Sequence, residues 1–274
     1  VDLALGVDFV PRPGTEPEEA PLAAAHAGES KFARPREAPS PPVRSRGPEQ
    51  TVATPTVTDR RETRPAAPPM VALSLGDAVT PDFPTLRLEG ESNSDALERL
   101  RRFHAEHCPH CTRVNTHRNL VFGEGDPEAS LVFVGEAPGE TEDELGRPFV
   151  GRAGQKLDEM IAAMGLERDS VYIANILKAR PPNNRTPLPD EVMRCGPTLL
   201  RQLAIIRPTA IVALGAPSTK FLLGTSEGIT RIRGVWARLT LPEEIGGGEI
   251  EVMPTFHPAY LLRNYTVETR KAVW

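Results

Sequence analysis

Residues 131–154, LVFVGEAPGETEDELGRPFVGRAG, decide how the chain is read. The run 131–134 is four apolar residues, with the length and β-rich composition of a buried strand. Gly135 closes it, and Pro138-Gly139 forces the chain to turn. Glu140, Glu142, Asp143 and Glu144 follow, and then Gly146-Arg147-Pro148-Phe149-Val150-Gly151 returns one aromatic to a glycine-flanked loop. A helix is predicted from near Ala153. The unit is therefore a strand, a long irregular loop and a helix. Open α/β sheets bind ligands at the carboxyl ends of their strands, and glycine lets a ligand approach the backbone closely. Taken alone, such a joint is more often an ordinary polar loop than a site.

Outward from this unit, apolar runs at 171–177, 210–214, 236–241 and 249–255 read as further strands, and 120–122 as a short one. Helices are predicted over 153–164, 190–206 and 216–223, with a short one over 258–263 and another from near 267. Ser94 and Asp95 cap a helix that carries Leu97, Leu100 and Phe103 at helical spacing. The stretch 181–189 holds four prolines and two asparagines and reads as a loop. Strands alternating with helices imply a mainly parallel sheet covered on both faces.

Residues 1–92 carry 15 of the 29 prolines and no Trp or Tyr. That composition cannot bury enough apolar surface to offset the entropy of ordering it, so 1–92 is expected to be a disordered tail and 93–274 the folded domain. The apolar patch 70–73 within the tail is a candidate contact for a protein partner. Nothing resembles a signal peptide, and no apolar run is long enough to cross a bilayer, so no membrane association is expected. A formal charge of −5 argues against coating nucleic acid by bulk charge. From 147 to 238, however, 14 Lys/Arg stand against 7 Asp/Glu, compatible with docking on phosphates at selected points. Three cysteines, two of them as Cys108-x-x-Cys111, do not form a disulfide framework. They suit a reducing, cytoplasmic setting and a metal or cluster role.

The runs GEAPGETED and GRPFVGRAG, then YIANILKARPPNNR at 172–185 and TFHPAYLLR at 255–263, resemble in order the motifs of the family 4 uracil-DNA glycosylases. These are the iron–sulfur branch of the uracil-DNA glycosylase superfamily, and the likeness covers about residues 105–274. It implies a three-layer αβα sandwich with a central, mainly parallel four-stranded sheet. It also implies a monofunctional N-glycosyl hydrolase that acts as a monomer on uracil-containing DNA and leaves an abasic site. Excision passes through a transition state with oxocarbenium character at the sugar and negative charge on the leaving base. The nucleotide must be flipped out, its edge read, its charge stabilised and water supplied.

Asn175, at a strand end, can both donate and accept, as the uracil edge requires and the cytosine edge refuses. The resemblance makes Asn175 the uracil reader and Phe149 the stacking partner, with Gly135 beside them in the pocket. His257 matches the family's hydrogen-bond donor to uracil O2, a task a neutral imidazole can perform. Glu136 occupies the position used to place water or stabilise the sugar cation. Glu142 resembles the residue near uracil C5, where a thymine methyl would clash. Asn184 matches a second family Asn that supports the pocket or the water, and Asp143 is expected to orient the loop. Leu261, Leu262 and Arg263 would supply an apolar wedge and a phosphate contact, and Arg231 and Arg233 further phosphate contacts.

One departure stands out. The family's cysteines come as Cys-x-x-Cys, a third in Lys-Cys-Arg-Pro-Pro, and a fourth farther on. Here Cys108, Cys111 and Cys195 match, but the third position is Ala179, in Lys178-Ala179-Arg180-Pro181-Pro182. A [4Fe–4S] cluster normally takes four thiolates. His104, His107, His110 or His117 could complete the set around such a cluster, or a three-cysteine cluster could form. Zinc on Cys/His ligands and no metal at all are the alternatives. Two other functions compete with excision. One is a non-catalytic or weakly catalytic protein of the same fold that binds uracil or damaged DNA. The other is a phosphate-cradling nucleotide binder, against which GEAPG argues because it lacks the Lys-Ser/Thr of a P-loop.

Overall fold

The computed structural model describes residues 81–114, 116–264, 266 and 267. The tail through residue 80, its 70–73 patch and the helix expected beyond 267 lie outside the described residues. Seven α-helices and six strands are described: α1 (Asn93–His107), β1 (Glu124–Gly125), β2 (Leu131–Gly135), α2 (Glu140–Leu145), α3 (Arg152–Ala163), β3 (Tyr172–Asn175), α4 (Pro189–Ile206), β4 (Ala210–Leu214), α5 (Ala216–Leu223), α6 (Ile229–Ile232), β5 (Ala237–Thr240), β6 (Glu249–Thr255) and α7 (Pro258–Arg263).

The strands form one sheet in the order β1-β3-β2-β4-β6-β5. Its middle four strands are parallel, and β1 and β5 add antiparallel edges to them. The expected four-stranded sheet is thus the parallel centre of a six-stranded one. Side chains alternate across it, as the two-residue period of a strand demands. Val132 and Val134 of β2 join the core beneath α1, α4 and α5, with Leu97, Leu100, Leu199, Leu203 and Leu222. Phe133 between them, with its register partner Ile173 of β3, packs on Leu157 and Ile161 of α3. Helices therefore cover both faces, and completely burying a side chain such as Phe133 contributes about 1.5–3 kcal/mol.

Three local expectations change. The pairing predicted at 120–122 falls instead at Glu124–Gly125, while Val121 donates its N–H to the Lys178 carbonyl at 2.8 Å. The acidic stretch of the long loop coils into α2, with the carboxylates of Glu140, Glu142 and Asp143 in its first turn, where the helix dipole favours them. Residues 81–92, expected to belong to the tail, pack onto the domain. Phe83 lies 5.2 Å from the Phe103 ring, and the Arg201 guanidinium sits 3.6 Å from the centroid of the Phe83 ring. Arg99 holds the carbonyls of Thr85 and Leu86 and forks onto Glu91. Phe83 and the Arg99 contacts hold a segment whose average composition is poor.

Candidate active site and metal centre

The carboxyl ends of the parallel strands bring the first residues together. Gly135 of β2 and Asn175 of β3 are register partners. A Cβ on Gly135 would fall 2.3 Å from Oδ1 of Asn175 and 2.5 Å from Cζ of Phe149, so only glycine fits where the amide and the ring meet. Phe149 is buried and has φ +50°, a left-handed conformation costing about 1–2 kcal/mol for a residue with a Cβ. Two features hold it there. Gly154 opposes its carbonyl at a distance no Cβ would allow, and Arg168 donates to the carbonyls of Pro148 at 2.6 Å and Phe149 at 3.2 Å. Arg168 is itself fixed by Glu124 and Asp158.

His257 follows β6 and caps α7. Its ring lies 5.6 Å from that of Phe149. Nδ1 accepts the Ala259 backbone N–H at 3.1 Å, so the neutral ring carries its proton on Nε2. Burial, helped by the Arg263 charge and opposed by Glu142, lowers its pKa to about 4. The imidazole is therefore a neutral donor at pH 7. Glu136 sits one residue past Gly135, and burial without a compensating partner raises its pKa. Its Oε1 and the Oδ1 of Asn175 are buried acceptors with no partner among the described residues. Buried polar atoms are rarely left so, and when they are, a site for a ligand is a physical explanation. Asn175, Phe149, His257 and Glu136 line one cleft of about 390 Å³.

Glu142 also lines this cleft, but its carboxylate is tied down. It accepts from the backbone N–H groups of Gly139, Val150 and Gly151 at 3.2, 2.9 and 2.8 Å, and so holds the loop carrying Phe149 as a fixed wall. Asp143 is buried and accepts from the backbones of Arg118 and Asn119. Asn184 stands exposed at the cleft, its Oδ1 taken by Arg180 at 2.7 Å. Arg185 and Glu191, paired at 2.6 and 2.7 Å, brace the same loop against α4.

The expected wedge divides. Leu261 is buried, with 1% of its surface exposed, because α7 turns it inward, whereas Leu262 and Arg263 reach solvent. Leu261 is thus a core residue in this structure and not part of a wedge, while Leu262 is exposed. Arg231 is exposed and paired at 3.4 Å with Glu227. Arg233 lies 5.1 Å from the Phe256 ring, which stacks on Tyr260.

A second cluster lies behind β3. Cys108 and Cys111 follow α1, Cys195 lies in α4, and His104 joins them from α1. All four residues are buried, and their ligand atoms lie within 4.8 Å of one another. Hydrogen bonds from Cys111 and Cys195 favour the Cys108 thiolate. Three thiols and an imidazole are a donor set that suits zinc or an iron–sulfur group. Gathered this closely, the four buried donors could hold such a group between them. Lys178, wholly buried, joins the two regions. Its backbone N–H donates to Sγ of Cys195 at 3.2 Å, and its ammonium donates to the Asn175 carbonyl at 2.8 Å and to Gln202. Burial lowers its pKa to about 8 against the pull of the three cysteines. The remaining donors of Gln202 go to the Phe122 carbonyl and the Tyr172 hydroxyl.

Sequence reading passed over Arg168, Lys178 and Gln202. For Lys178 a signal existed, a cation continuing the apolar run 171–177. For Arg168 there was none. Residues 122–274 match the family model described as the Uracil DNA glycosylase superfamily. The chain is 48% identical over 180 residues to the Type-4 uracil-DNA glycosylase of Thermotoga maritima, an alignment covering 64% of this chain and 90% of that protein. It is 46% identical to the Type-4 uracil-DNA glycosylase of Sulfurisphaera tokodaii over 62% of this chain and 77% of the relative. With the enzyme of that name from Archaeoglobus fulgidus the identity is 45%, over 57% and 78%.

Proposed function

Because the chain belongs to the uracil-DNA glycosylase superfamily, we propose that it excises uracil from DNA by hydrolysing the N-glycosidic bond, leaving an abasic site. The observation that carries this reading is the pair of partnerless acceptors, Asn175 Oδ1 and Glu136 Oε1, beside the Phe149 ring and a neutral imidazole donor. A flipped uracil would stack on Phe149. Asn175 would accept N3–H at Oδ1 and donate from its amide nitrogen to O4. Cytosine reverses both patterns and would leave buried groups unpaired, a strong basis for rejection.

As the bond breaks, negative charge builds on the base, and His257 Nε2–H donates to O2 where that charge grows. Glu136, ionised, faces the sugar and orients the water. The water oxygen bonds to the anomeric carbon, and its proton passes by way of the carboxylate toward the departing base. Glu142, clamped by three backbone donors, is the rigid wall against which a thymine methyl would press. Leu262 fills the gap left in the duplex, Asn184 supports the mouth of the cleft, and Arg263, Arg231 and Arg233 meet phosphates. By resemblance, Cys108, Cys111 and Cys195 would hold an iron–sulfur group whose contribution is structural: bound, it would tie α1 to α4 behind Asn175, while Lys178 joins Cys195 through its own backbone N–H.

The test is incubation with a uracil-containing oligonucleotide followed by alkali, which cleaves the strand at the abasic site. Wild-type protein should cut at uracil and spare cytosine and thymine. Asn175→Ala and Asn175→Asp should lose at least two orders of magnitude in single-turnover rate. Binding without strand scission would sink the enzymatic reading in favour of a binding protein.

A further inference from the structure

Position 179, where the family motif has a thiolate, is a wholly buried alanine in the same core cluster as Cys108, Cys111 and Cys195. It offers no donor. His104 stands one helical turn before Cys108, with 1% of its surface exposed. Its Nε2 points among the sulfurs, 3.2 Å from Sγ of Cys111 and 3.9 Å from that of Cys195. Its Nδ1 lies 2.7 Å from Oγ1 of Thr198, which is buried one turn after Cys195 on α4. The other three histidines of the region stand outside this group. His107 is exposed and stacks on Phe103, His110 lies 3.9 Å from Glu191, and His117 is outside the four-residue group.

We propose that His104, through Nε2, is the fourth ligand of the metal group, in place of the thiolate missing at 179, and that Thr198 fixes the tautomer which makes this possible. With Nδ1–H donating to Thr198, the lone pair of Nε2 is free and aimed at the sulfurs. Metal-ligating histidines almost always have their second nitrogen held in this way. Exchanging a thiolate for a neutral imidazole removes one negative charge from a buried site, which raises the reduction potential of an iron–sulfur group. The ligand has also moved from the loop after β3 to α1. The loop keeps its place through the Lys178 N–H on Cys195 and the Val121 N–H on the Lys178 carbonyl. The inference concerns the metal group alone and stands or falls separately from uracil excision.

The full chain, purified without oxygen, is assayed for iron, acid-labile sulfide and zinc, and its reduced centre is examined by pulsed paramagnetic resonance after growth on ¹⁵N-histidine. Wild-type protein should carry metal and show coupling to one histidine nitrogen. His104→Ala should lose at least fivefold in metal content, and Ala179→Cys added to it should restore the metal. His104→Cys should retain metal, lose the nitrogen coupling and shift to a more negative potential. Thr198→Val should weaken metal retention against a chelator by about 10- to 100-fold. If His104→Ala is insoluble, the wild-type coupling and its loss in soluble His104→Cys decide the matter. Stoichiometric zinc, lost in the same way from His104→Ala, would support the ligand assignment while overturning the cluster. A metal-free wild type, full metal in His104→Ala, or a paramagnetic iron–sulfur centre without histidine coupling would overturn the proposal.

Discussion

At the scale of single residues, the cleft works against its own stability. Glu136 is pushed above its ordinary pKa by burial alone, so folding favours its protonated form. That penalty is absent at low pH and grows as pH rises through the carboxylate range toward the raised pKa. His257 has the opposite dependence. Its pKa falls from 6.5 unfolded to about 4 folded, so its contribution is fully present above pH 6.5 and declines as pH drops toward 4. Replacing Glu136 with Gln should therefore raise the melting temperature at pH 7 while slowing excision by 10²- to 10⁴-fold. It should also erase the acid limb of the pH–rate profile that lies above pH 4.5. An unchanged limb in the variant would show that another group sets it. His257→Ala should slow the chemical step more than it weakens DNA binding, because its hydrogen bond strengthens as charge develops; comparing single-turnover rate with the dissociation constant checks this.

At the scale of elements, what matters is how short segments are locked. Helix α2 escapes a reading based on apolar period because four of its six residues, ETEDEL, are acidic and only Leu145 is apolar. Its capping comes from Glu142 reaching back to the Gly139 N–H, and the other oxygen of the same carboxylate ties down Val150 and Gly151. Arg168 performs the corresponding task from the far side, through the carbonyls of Pro148 and Phe149. Arg168→Ala would leave those carbonyls, Glu124 and Asp158 short of a partner. It should destabilise the domain by about 1–3 kcal/mol and slow excision, since the Phe149 ring would lose its fixed left-handed backbone. Arg168→Lys keeps the charge without the fork and should recover only part of both; denaturant melts and single-turnover kinetics measure the two effects. A variant with normal kinetics would reduce Arg168 to a structural brace.

At the scale of the whole molecule, four parallel strand ends gather residues from 135 to 263, and the buried Cys/His cluster lies behind one of them. Through Lys178 the same short segment bonds to Cys195 and to the Asn175 carbonyl. The domain also reaches beyond residue 93. A chain starting at residue 81 should match the full chain in excision rate and melting temperature. One starting at 93 loses Phe83 and the Arg99 contacts to Thr85, Leu86 and Glu91, and should melt lower by an amount equivalent to about 1–2 kcal/mol. Equal melting of the two would show that this segment rests on the domain without stabilising it.

The sequence by itself determined the alternating α/β pattern, the strand ends carrying Gly135 and Asn175, and the order of the motifs, because each is written in neighbouring residues. It also showed that a cysteine was missing at 179. Only the tertiary structure decided which histidine stands among the sulfurs, since His104 and its partner Thr198 are 94 residues apart. It likewise turned Leu261 inward, made Glu142 a strut, and put Arg168 on backbone carbonyls some twenty residues earlier. Local periodicity sets which residues can form a helix or strand. The partner of a buried polar group is set by whatever the fold brings within about 3 Å of it, and no neighbour in the chain records that.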